Sequence, residues 1–173
     1  MSNAENGAPG TTDAAPAPPS LNVVAQYVKD LSVENPNAPK SLQVQNKTPD
    51  ISVNVNVNAK PMAENDFEVS LQLTAKATGG DTVMFAVELD YAGIFKIQNV
   101  PKENTLPAVM IECPRLLFPF ARQILADVTR QAGFPPLFID PVDFAALYRN
   151  RLQQMQQAQQ AEAEQGAGEK APN

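Results

Sequence analysis

Residues 51–58 read ISVNVNVN and residues 67–78 read FEVSLQLTAKAT, and both runs alternate strictly between apolar and polar side chains. Ile51, Val53, Val55 and Val57 alternate with Ser52, Asn54, Asn56 and Asn58; Phe67, Val69, Leu71, Leu73, Ala75 and Ala77 alternate with Glu68, Ser70, Gln72, Thr74, Lys76 and Thr78. A period of two sends successive side chains to opposite faces of a strand, so each run predicts a strand with one dry and one wet face. Gly79-Gly80-Asp81 then supplies the positive-φ backbone of a tight hairpin turn. The next strand, Thr82 to about Ile97, carries Val83, Phe85, Val87, Leu89, Phe95 and Ile97 on its apolar parity, and Gly93 within it predicts a bulge or bend. Upstream, 21–34 repeats the alternation, with Leu21, Val23, Ala25, Tyr27, Leu31 and Val33 at odd positions. Half-polar strands joined by hairpins predict an antiparallel sheet.

Two helical segments follow the strands. Across 115–132, Leu117, Phe120, Ala121, Ile124, Leu125 and Val128 recur at helical spacing, Leu116 and Phe118 widen the stripe, and Gly133 supplies the stop. The second helix is expected from Asp140-Pro141, an N-cap followed by proline at the first helical position, with Phe144, Leu147, Tyr148, Leu152 and Met155 on its apolar side. Strands followed by helices without alternation predict an α+β domain, a four-stranded antiparallel sheet with two C-terminal helices on one face. Four half-apolar strands and a first helix apolar over much of its girth exceed what the short second helix can cover. The surplus predicts a homo-oligomer, with Leu117, Phe120, Ile124, Leu125 and Val128 at the contact between subunits.

The domain is expected to span 21–152. Residues 1–20 are rich in Pro, Ala, Gly and Asn, with too little apolar surface to offset their ordering entropy, and read as a disordered arm. Residues 153–173 turn Gln/Ala-rich after the last apolar contacts and read as a fraying or disordered tail. The net charge is −6, and basic residues are scattered among acidic ones instead of clustered, which argues against nucleic acid as a partner. There is no histidine, and the single Cys113, beside Pro114, has no imidazole to activate it, so the usual parts of hydrolase and zinc chemistry are missing and no cofactor is expected. The chain has neither an apolar leader at its start nor an apolar run of membrane-spanning length, which predicts a cytoplasmic protein without membrane insertion.

Four strings carry a family likeness: QYVKDLSVENPNAP (26–39), the stretch from Phe85 through Tyr91-Ala-Gly-Ile-Phe95, CPRLLFPFAR (113–122) and GFPPLFIDPVDFAALY (133–148). In order and spacing they resemble the signature segments of the bacterial SecB protein-export chaperones, over about 21–152. Glu112, Arg115 and Phe120 depart from the residues common in that family. The resemblance implies a dimer-of-dimers homotetramer that binds unfolded precursor proteins without ATP and hands them to the SecA motor for export. The alternative is an oligomeric scaffold or a small-ligand-binding α+β protein that never meets an unfolded chain.

The resemblance also assigns surfaces. Asp30 and Glu34 share the polar parity of the first strand and Glu88 that of the fourth, a pattern that by itself reads as a solvated sheet face. In SecB proteins the matching positions, together with that of Ala86, receive the basic, zinc-holding C-terminal tail of SecA. Ile51, Val53 and Val55 of the second strand, with Phe144, Leu147 and Leu152 of the second helix, match the region that forms the family's client groove. An enzymatic reading of the carboxylates fails on physics, because a catalytic acid needs a desolvated cleft and an exposed strand face is the opposite.

Overall fold

The alternating runs form the strands they predict. In the computed structural model, which describes residues 17–43 and 48–168, β1 (Ser20–Glu34), β2 (Asp50–Pro61), β3 (Asp66–Gly79) and β4 (Thr82–Gln98) make one antiparallel sheet in the order β1-β4-β3-β2. The last two hairpin-linked strands turn on Gly80, at φ +63°, and Asp81. β1 lies beside β4, so β1 and β2 are the edges. Most of the expected N-terminal arm, and residues 169–173 of the expected tail, lie outside the described residues. Odd-numbered side chains of β3 and β4, from Val69 to Ala77 and from Phe85 to Ile97, are buried under the helices; the even-numbered ones form the outer face.

β1 departs from simple alternation. Its register against β4 shifts between Val23 and Ala25 and again between Val28 and Asp30, leaving Val24 and Lys29 without cross-strand partners. Each extra residue reverses the facing of those that follow. Ala25 and Tyr27, expected on the apolar face, therefore stand opposite Ile94 and Ala92 on the outer face. Gln26 and Val28 take their places opposite Gly93 and Tyr91, and the Tyr91 hydroxyl donates to Gln26 Oε1 at 3.3 Å. Beyond the second bulge the original parity returns. Gly93 makes no bulge of its own: it is paired on both sides, and its missing side chain leaves room for Leu117 of the helix above.

The helical region starts earlier than its periodicity suggested. α1 (Lys102–Pro107) passes through a π-helical turn at Ala108–Glu112 into α2 (Cys113–Gln131). Pro114 has no N–H to return to the preceding turn. The wider π turn sits immediately before it, with the Cys113 N–H reaching back to the Ala108 carbonyl. Prolines 107, 114 and 119 interrupt the pattern without ending the helix. Gly133, at φ +92°, ends it as expected.

α3 (Phe144–Gly168) begins later than expected. Residues 135–143 are not helical, and the cap is Asp143, whose Oδ1 accepts the Ala146 N–H at 3.0 Å; that bond holds the Asp143 carboxyl below its ordinary pKa. The helix continues across residues 153–168, where fraying was expected, and Leu152–Gln160 is exposed. α2 lies across β3 and β4, whereas α3 leans on the π turn and reaches the edge strand β2 only near Val57. The N-terminal half of β2 is left uncovered.

Candidate functional site

The outer face gathers the carboxylates. Asp30 stands directly across from Asp90, Ser32 from Glu88, and Glu34 from Ala86. The four residues expected to meet SecA, Asp30, Glu34, Ala86 and Glu88, thus share one face at one end of the sheet, with the helices on the other. Their parity holds because the Lys29 bulge precedes them. Asp90, not anticipated as a site residue although it falls on the same parity, adds a carboxylate anchored by the Ser70 hydroxyl and by Gln72 Nε2 at 3.3 Å. Gln72 in turn accepts from Asn56 and Asn58, each at 3.1 Å. Asp30, Gln72, Thr74, Glu88 and Asp90 line a shallow hollow of about 290 Å³. An exposed acidic surface of this kind suits recognition of a cation more than proton transfer in a dry cleft.

Further along this face the bulged Lys29 and the inverted Tyr27 converge on one oxygen. Glu68 Oε1 accepts from the Tyr27 hydroxyl at 2.6 Å and from Lys29 Nζ at 2.9 Å. These bonds hold the Glu68 carboxyl below its ordinary pKa, and the bond to Glu68 raises those of Tyr27 and Lys29.

The apolar groove lies on the helix side, at the uncovered half of β2. Ile51, Val53 and Val55 form its floor, and Leu137, Phe138, Ile139 and Val142 of the segment between α2 and α3 form its wall, around about 340 Å³. Phe138 is 58% exposed, with the Arg122 guanidinium 5.5 Å from its ring centre. The wall is held by Thr129, fully buried, whose hydroxyl oxygen accepts the Leu137 N–H at 2.9 Å while donating to Leu125 O. Leu147 and Leu152 do not join this groove. They line a second pair of hollows between α3, the π turn and the end of β2, with Val57, Ala59, Met110, Tyr148 and Met155. Phe144, expected in the groove, is instead core: it is 1% exposed and meets Phe118 edge-on at 5.9 Å. The wall residues escaped the sequence reading because they sit in a proline-flanked segment with no period to count.

The expected subunit contact also divides. Leu117 and Leu125 are fully buried within the chain against the sheet, so they stabilise its own fold and cannot reach a second copy. Phe120 and Leu116, 52% and 42% exposed, face outward with the half-buried Ile124 and Val128. Phe120 stacks on Tyr91 at 6.3 Å, which joins this helix face to Val28, Leu31 and Val33, exposed on the same side of β1. The result is an apolar strip on this flank of the chain. Cys113 is fully buried, and burial pushes its thiol up to about 12, so it stays protonated at neutral pH. Among the described residues no helix is long and apolar enough to cross a membrane.

An α+β protein with a wet acidic sheet face, a separate apolar groove and an open apolar flank is a binding protein that meets its partners by surface. The family model described as preprotein translocase subunit SecB matches residues 14–155. The chain is 60% identical to the protein-export protein SecB of Rhodopseudomonas palustris (strain HaA2) over 86% of its length and 94% of that protein's. It is 56% identical to that of Methylocella silvestris over 90% and 95%. The chain belongs to the SecB family, and its role is that of a protein-export chaperone. Among solved structures, the SecB-like chaperone Rv1957 of Mycobacterium tuberculosis, in complex with a ChAD peptide from the HigA1 antitoxin, shares the fold. Its TM-score is 0.55 at 18% identity, over 70% of this chain and 90% of that one.

Proposed function

We propose that this chaperone works in the cytoplasm as a homotetramer, a dimer of dimers. It holds unfolded precursors in its apolar groove without ATP and presents its acidic sheet face to the SecA tail. The observation that carries this reading is the separation of the two surfaces on opposite faces of one sheet: Ile51, Val53 and Val55 point to the groove side, Asp30, Glu34 and Glu88 to the other. A client can be held while the motor docks. An unfolded chain offers apolar side chains and unpaired backbone, and burial gains about 25 cal/mol for each Å² without reading a sequence. Selection is then kinetic, since fast folders bury those groups before capture, and several grooves on one assembly raise avidity through effective concentration. The apolar strip of Val28, Leu31, Val33, Leu116, Phe120 and Ile124 is the surface on which subunits associate. Leu147 and Leu152 extend the client path into the second hollow. On the acidic face the zinc belongs to the SecA tail, and Ala86 offers that tail little apolar area.

The direct test is to dilute a reduced, denatured precursor into buffer with the protein and no nucleotide, following light scattering. Aggregation is expected to be suppressed in proportion to chaperone added; undiminished aggregation at stoichiometric excess would remove the reading.

A further inference from the structure

The second bulge of β1 leaves two neighbouring residues to compete for one position in the ladder. Val28 pairs with Tyr91 and Asp30 with Asp90, so Lys29 is the extra residue. A shift of the bulge by a single residue would pair Lys29 with Asp90 and make Asp30 the extra one, with the ladder on either side unchanged. Charge favours that alternative. Opposite charges directly across a sheet attract and like charges repel, yet the arrangement present sets Asp30 against Asp90. Glu68 of β3 supplies what offsets this. Its Oε1 accepts from Lys29 Nζ at 2.9 Å and from the Tyr27 hydroxyl at 2.6 Å, and these two donors flank Val28, whose own side chain points to the helix side. Asp90 meanwhile accepts from the Ser70 hydroxyl and Gln72 Nε2. Among the described residues no ion pair engages Asp30, Glu34, Glu88 or Asp90, although Lys29 is adjacent to Asp30 in the chain.

We propose that Glu68 is a positioning residue for recognition of the SecA tail: by drawing the Lys29 ammonium to β3 it leaves Asp30 across from Asp90 and keeps a cation off the acidic face. Tyr27 aims the carboxylate, since its hydroxyl fixes the same oxygen that Lys29 meets. A basic tail then finds two carboxylates side by side where a slipped bulge would offer one already neutralised by Lys29. Glu68 acts through Lys29 and does not itself touch the tail. This rests on the acidic-face reading above and adds to it the residue that sets the charge of that face.

The experiment is a double-mutant cycle on the full chain: calorimetric titration of the zinc-loaded SecA tail into wild type, Lys29→Ala, Glu68→Ala and the double variant. Glu68→Ala is expected to weaken tail binding on the order of threefold or more, because the released ammonium cancels exposed ion pairs on the face. Lys29→Ala is expected to change little in wild type, where Glu68 already holds the lysine, and to restore binding to within about twofold of wild type in the Glu68→Ala background. A charge acting only through the long-range field would give Lys29→Ala the same effect in both backgrounds, and a residue serving only the fold would move stability without this coupling in binding. Equal effects of Lys29→Ala in the two backgrounds, or a Glu68→Ala protein that binds the tail as wild type does, overturn the proposal and leave the acidic-face reading intact. Equal affinity of wild type and the variant with Asp30, Glu34 and Glu88 all changed to Lys overturns that reading, and this inference with it. If Glu68→Ala fails to fold by circular dichroism, Glu68→Gln, which keeps the size of the side chain, takes its place in the cycle with the same expected directions and the same overturning results.

Discussion

Leu117 occupies the space that Gly93 leaves open: a β-carbon added at Gly93 would stand 2.9 Å from Leu117 Cδ2 and 3.1 Å from the backbone oxygen of Ala25. The sheet and α2 approach so closely here that neither the fully buried leucine nor the β1 backbone has room to retreat. Gly93→Ala should therefore overpack the core and lower stability by about 1–3 kcal/mol. Urea denaturation followed by circular dichroism checks it, and a variant as stable as wild type would show that the contact relaxes freely.

Thr129 joins the end of α2 to the groove wall through the Leu137 N–H. Thr129→Val keeps the volume and removes the acceptor, leaving a half-buried N–H unpaired at about 1–3 kcal/mol. Amide exchange at Leu137 should quicken, and binding of an apolar peptide should weaken more than global stability does, since the wall moves before the core.

Phe120 and Leu125 are five residues apart on α2 and should respond oppositely to the same charge. Leu125→Asp places an unpaired carboxylate in the core and should abolish folding. Phe120→Asp, at a half-exposed position, should leave the subunit folded and lower its mass by light scattering. A folded Phe120→Asp protein with the wild-type mass would move the subunit contact elsewhere.

Reversing Asp30, Glu34 and Glu88 together to Lys should weaken binding of the zinc-loaded SecA tail on the order of tenfold, the sum of several exposed pairs. Wild-type binding should fall as salt rises, because exposed charges are screened within about 8 Å at physiological ionic strength. Suppression of aggregation should survive both changes. Calorimetric titration that finds equal affinity in a folded triple variant would detach this face from SecA.

Glu68→Gln should change stability at both ends of the pH range. The Glu68 pKa is lowered in the fold, mainly by the Tyr27 hydroxyl and then by Lys29, so its contribution is present above the ordinary carboxylate range and lost as pH falls through the lowered value. The Tyr27 pKa is raised, so its contribution is present below about pH 10 and lost as pH rises through the raised value. In the variant, ultraviolet titration should show one tyrosine ionising earlier than in wild type, and the acid-side difference between the two proteins should narrow as pH falls.

The strands of the sheet, the hairpin at Gly80, the end of α2 at Gly133 and the shared face of Asp30, Glu34 and Glu88 were legible in the sequence by itself. Alternation and turn chemistry are local, and a period of two assigns faces without knowledge of the neighbours. Tertiary structure decided what depends on partners distant in the chain. Bulges at Val24 and Lys29 exist only in the pairing of β1 with β4, and they turned Tyr27 outward to Glu68. The burial of Phe144, Leu117 and Leu125 depends on where the helices land, because an apolar stripe announces that it will be covered but not whether its own chain or another will cover it. The helix before Pro114 was hidden because a π turn can absorb a missing N–H that local propensity reads as a break. The open edge of β2 was decided last of all, by how far along the strand α3 reaches: Arg151 closes it at Val57, and a distance set by the whole fold is written in no local pattern.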